Sequence, residues 1–82
     1  MTGVELLKKA SEDTRVVAIT QEMEQAKVLA ERLNHDWQYY ISAHTDENLK
    51  AVRQALTVYH RLQSRTTKTW DKVMKEVLHG TA

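Results

Sequence analysis

Between residues 16 and 40 the apolar positions fall on a fixed step. Val16, Ile19, Met23, Ala26, Ala30, Leu33, Trp37 and Tyr40 are separated alternately by three and four residues, the spacing of a helix seam that packs on another helix. No Gly or Pro interrupts the run, so the spacing predicts a helix over about 12–43. Locally, Arg15-Val16-Val17-Ala18-Ile19-Thr20 is rich in β-formers and competes as a strand. Val16 and Ile19 are in phase with the seam, which favours helix. Extended backwards, the seam lands on Glu12 and Lys9, which predicts a break. Ser11 is the expected cap there, followed by two acids at the positive end of the helix dipole.

Upstream, Thr2 and Glu5 have the spacing of a capping box, and Val4, Leu6, Leu7 and Ala10 form a short apolar face. A first helix is expected over about 3–10. Downstream, Ser42 to Asn48 is the best turn in the chain, with Thr45 as a cap and Asp46 and Glu47 as first-turn acids. A third helix over about 46–79 repeats the seam at Leu49, Val52, Leu56 and Tyr59. Its phase passes through polar Gln63 and Thr66 and resumes at Trp70, Val73 and Val77. A break near Ser64–Thr67 is the competing reading; the retained phase favours one long helix. Gly80 is the expected stop.

These elements predict one all-α domain over 1–82: a short N-terminal helix and a long antiparallel helical hairpin. Pairing across the turn sets Tyr40 near Leu49, Trp37 near Val52, Leu33 near Leu56, Ala30 near Tyr59 and Ile19 near Trp70. Val28, Leu29, Ala55, Val58 and Met74 fall outside the seam. The first helix can cover part of that surface. A second copy, completing a four-helix bundle, covers the rest, so Val28, Leu29, Ala55 and Val58 are the expected homodimer interface.

Composition sharpens this picture. The chain has 82 residues, no Pro, no Phe and two Gly, which leaves little turn chemistry for hairpin strands. It has no Cys, which excludes disulfides and cysteine-based zinc sites. No apolar run reaches the roughly 20 residues of a membrane span, and the N-terminal apolar stretch is too short for a signal peptide. A cytoplasmic protein that does not enter a membrane is expected. Net charge is +1, but residues 1–48 hold five Lys/Arg against nine Asp/Glu, and residues 49–82 hold seven against two. Either the halves attract each other or the basic half meets an acidic partner.

That basic half is ordered. Arg61, Arg65, Lys68, Lys72 and Lys75 follow steps of four and three, one ridge on a helix. Phosphates or an acidic protein groove suit it; a plain solvated face is the alternative. Trp37, Tyr39 and Tyr40 cluster beside the turn. Trp37 and Tyr40 are in phase as core, while Tyr39 is out of phase and is the better candidate for a partner contact. Of the four histidines, only His79 sits in a Glu-x-x-His string (Glu76–His79), and one string does not make a di-metal site. No Gly-rich phosphate loop, nucleophile with a base, or inward carboxylate pair is present, and the polar layer Gln63, Thr66 and Thr69 is the only place for a bundle-core site. The reading expects no catalytic residues, no metal and no cofactor. It points to a non-catalytic helical interaction module (an adaptor, regulator or inhibitor) docking on a larger protein through the ridge and Tyr39. Nucleic acid bound through the ridge is the alternative.

Overall fold

A computed structural model describes residues 2–80, and every regular element among them is helical. Helix α1 spans Gly3–Glu12, α2 Thr14–Tyr39 and α3 Asp46–Gly80, with one 3-10 turn at Ile41–Ala43 between α2 and α3. Thr2 opens α1 by accepting the Glu5 N–H at 3.2 Å. The first break is made by one residue, and it is Asp13 rather than Ser11. Ser11 stays inside α1 and donates its hydroxyl back to the Lys8 carbonyl at 2.7 Å. Asp13 takes an extended backbone and closes α1 by donating its N–H to Ala10 O. Its carboxylate accepts the Arg15 N–H at 2.9 Å. A charged acceptor at the positive end of a helix is a better cap than a hydroxyl already committed to its own helix, so α2 begins at Thr14 and not at Glu12.

The β-rich run from Arg15 to Thr20 is helical. Asn34, His35 and Asp36 do not interrupt α2, but the helix stops at Tyr39, short of the expected 43. Tyr40 is extended, at φ −110° and ψ 118°. Tyr39, Tyr40 and Ile41 all lose side-chain freedom in a helix. The chain finds other partners here: Asn48 Nδ2 donates to Ala43 O, and the Trp37 indole N–H donates to Thr45 O at 3.3 Å. Thr45 Oγ1 accepts the Asn48 N–H at 3.1 Å and starts α3.

Helix α3 crosses its polar middle without a break. The hydroxyls of Thr66, Thr67 and Thr69 donate to the carbonyls of Leu62, Gln63 and Arg65, each four residues back. Threonines satisfied within their own helix do not compete to cap a new one. The end that Gly80 was expected to make falls against residues 81 and 82, outside the described residues.

The chain passes back along itself. Arg15 meets Glu76, Ile19 and Val73 line one groove, Leu33 and Ala55 line another, and Trp37 reaches Thr45. The deepest packing is where all three helices meet. Ala10, Val16 and Val73 are buried together, with Trp70, Met74 and Val77 against them. Met74, off the strict seam, is therefore covered at that end. Elsewhere Ile19, Ala30, Val52 and Thr66 are buried. Two seam assignments differ from expectation: Tyr40 is 56% exposed and Leu56 37%. Tyr40 has left α2 for extended backbone, and Leu56 falls on the line through Leu49 and Gln63 at the edge of the seam, while Val52, Tyr59, Thr66 and Val73 keep its centre.

Burial orders the expected costs of truncation. Val73→Ala should destabilise by about 2 kcal/mol through lost burial and a residual cavity, whereas Leu56→Ala should cost under about 1 kcal/mol. Paired thermal melts test this, and equal or reversed effects would contradict the assignment of the core.

Candidate functional site

Three surfaces carry side chains that the fold does not use. The first is the turn. Trp37 is half-buried in the last turn of α2, and its ring stacks on His44 with centroids 4.3 Å apart and 25° between planes. Tyr39 lies against His35 at 4.7 Å, and Tyr40 meets the same ring edge-on at 6.1 Å. His35 Nδ1 is 3.4 Å from the Asp36 carboxylate. A cleft of about 290 Å³ opens among Trp37, Gln38, Tyr39, Tyr40, Ile41 and His44. Tyr39 is 71% and Ile41 95% exposed. Ile41 and the two histidines escaped sequence reasoning. The signal available was three bulky apolar residues in a row directly before a strong turn, a run that no seam can bury whole.

The second surface is the basic ridge. Arg61, Arg65, Lys68, Lys72 and Lys75 are all exposed. They do not share one environment. Arg65 and Lys72 flank a groove of about 300 Å³ between α2 and α3, facing Arg15, Ala18 and Glu22 across it, while Arg61, Lys68 and Lys75 stand outside that groove. Two acids, Asp71 and Glu76, lie beside the ridge in sequence, and the second is occupied. Glu76 pairs with Arg15, which also holds Asp13 at 3.0 Å. Hydrogen bonding to Arg15 keeps both carboxyls below their ordinary values, and the Lys72 charge adds to the effect on Glu76. The same two bonds push the guanidinium of Arg15 up.

The third surface is apolar. Leu29, Ala55 and Val58 line a groove of about 270 Å³ with Ala26, Leu33 and Ala51. Val28, 61% exposed, does not join them; it shares a separate depression with Leu29, Gln25 and Arg32. Three of the four residues expected at a dimer interface thus converge, and the fourth lies to one side.

The polar layer does not converge. Thr66 is buried but bonded within its helix, Thr69 is half-buried and likewise bonded, and Gln63 is exposed. Among the described residues no group of three His, Asp or Glu side chains is placed to hold a metal ion. No described helix is long and apolar enough to cross a membrane. No protein-family model, curated protein or solved structure matches this chain.

The Arg15 cluster predicts acid sensitivity. Asp13 and Glu76 ionise near 3.8 and 4.5 without partners, and the fold holds both lower. Their contribution is complete above those values and disappears as pH falls through the lower folded ones. The thermal midpoint should therefore fall between about pH 5 and pH 2. The Arg15→Met variant should be less stable at pH 7 and lose less on acidification. The difference is small, because all three groups stand in water. Equal acid sensitivity in both proteins would remove the cluster from the account.

Proposed function

We propose that this chain is a non-catalytic helical docking module, an adaptor, regulator or inhibitor, that engages a larger protein with the turn of a helical hairpin. The observation that carries the reading is the cleft at that turn, ringed by Trp37, Tyr39, Tyr40 and Ile41. Aromatic side chains around a recess are what interface hot spots are made of, and Tyr39, Tyr40 and Ile41 are largely exposed there. The basic ridge favours a partner whose surface beside the recess is acidic, since opposed potentials speed association. A cytoplasmic setting and a homodimer completing a four-helix bundle belong to the same reading. Support for the dimer comes from Leu29 and Val58, which are 54% and 48% exposed on a single groove.

A second reading has its own observation. Five exposed cations lie on one line of α3, and of the two acids beside them, Asp71 and Glu76, the second is engaged by Arg15. Such a line suits nucleic-acid phosphates, with affinity that falls as salt rises.

Two variants separate the readings. Ile41→Asp, at an almost fully exposed position, should change stability by no more than about 0.5 kcal/mol and abolish capture of the partner. Arg61→Glu with Lys68→Glu, clear of the groove, should slow that capture and leave the fold intact. Random-sequence DNA should not bind at physiological salt. If it does bind, and the charge pair flattens the slope of log K against log salt by about two units, the nucleic-acid reading replaces the first.

A further inference from the structure

We infer that a second copy of this chain covers the α2–α3 groove face, with the two turns side by side at the same end. The inference rests on the dimer proposed above and adds its face and its direction. The face is continuous. On α2, Arg15, Glu22, Leu29 and Asp36 follow steps of seven; on α3, Ala51, Val58, Arg65 and Lys72 do the same. Arg15, Glu22, Arg65 and Lys72 line one groove, and Leu29, Ala51 and Val58 line the other, so both grooves open on one side. That side is away from α1. Met74, which packs on the Ala10 cluster, lies about 200° round the helix from Lys72 at 3.6 residues per turn. The molecule measures 58 × 17 × 17 Å, so the face offers on the order of the 800 Å² per partner that a stable interface buries.

The occupant must be apolar over the half nearer the turn and charge-complementary over the other half. A second copy related by a two-fold axis along the helices meets both demands. Such an axis lays α2 of one copy over α3 of the other and keeps each residue at its own height. Leu29 then faces Val58. Glu22 faces Arg65. Lys72 faces Arg15, which with Asp13 and Glu76 forms a group of net charge −1. Each pairing occurs twice. A two-fold axis across the helices instead lays α2 on α2. Centred on Leu29, it sets Glu22 against Asp36 twice, like charge on like, with Glu47 approaching Lys68 as the compensation. The first arrangement also joins the two turns, so that Tyr39 and Ile41 of both copies form a single end.

Spin labelling tests the direction, and the absence of cysteine lets one label be placed at a time. Ser42→Cys marks the turn and His79→Cys the opposite end; both positions are exposed. With the turns together, the label-to-label distance should be under about 35 Å at both sites, a few helix diameters plus tethers. The reversed arrangement predicts about 40 Å at Ser42 and about 60 Å at His79, from the rise per residue on either side of Leu29 and Val58, and that result would overturn the direction while leaving the dimer standing. Sedimentation of the same samples as a 9.5 kDa monomer would overturn the dimer itself. Leu29→Glu with Val58→Glu, at two exposed positions, should keep the helical circular dichroism and weaken self-association by at least about tenfold. Unchanged association would place the interface elsewhere.

Discussion

The packing of Ala10, Val16 and Val73 where three helices meet is the interaction on which the rest of this molecule depends. Two helices side by side can bury only a stripe, because each shields a narrow arc of the other. A third helix closes that arc. Those three side chains are at most 2% exposed, and Val73 reaches the other two from the far end of the chain. The kink at Asp13 makes the closure available, since it ends α1 and caps α2 within one residue. Arg15 then ties the kink to Glu76 on α3. Towards the turn only small or β-branched side chains, Ala30 and Val52, are buried in the seam. Leu29 and Val58 are about half exposed and Leu56 37% exposed.

That uneven distribution links the fold to its surfaces. The three-helix packing lies near the open end, where Val4, Leu7 and Val17 are nonetheless exposed, and a second set of exposed apolar groups, Leu29, Val58, Tyr39 and Ile41, lies toward the turn. The charged groups follow the same division. Glu76 is engaged at the open end, which leaves the cations of α3 less compensated than composition implies. A chain with net charge +1 therefore presents a basic line and an aromatic tip at separate places, the two surfaces on which the proposed docking role rests.

Much of the architecture was legible from spacing alone. The three-four steps gave the long helices, and Thr2 and Thr45 mark helix starts because each has a backbone N–H three residues on to accept. The misplaced features have physical reasons. Ser11 and Asp13 both fit a cap, and only the structure shows that the Ser11 hydroxyl is already bonded to Lys8. Tyr40 keeps the phase of α2 yet leaves the helix, because phase says nothing about where the backbone turns. Leu56 keeps the phase of α3, but of the two heptad lines there the one through Val52, Thr66 and Val73 is buried and the one through Leu56 and Gln63 lies at the seam's edge, a choice that spacing alone does not make. The ridge was legible as a line of charge; that Arg65 and Lys72 border a groove facing Glu22 depends on which residues of α2 lie opposite, which one helix's pattern does not encode. The cleft at the turn depended on Ile41 and His44, whose role comes from the 3-10 turn that places them around Trp37.

Native-state hydrogen exchange on the monomer, at submicromolar concentration, tests most directly the claim that stability is concentrated where three helices meet. Amides around Val16–Ile19 and Thr66–Val73 should exchange slowest, at rates set by global unfolding, while those around Leu33 and Val52–Leu56 exchange faster through local opening. Slowest exchange around Leu33 and Val52–Leu56, with fast exchange at Val16 and Val73, would contradict the account.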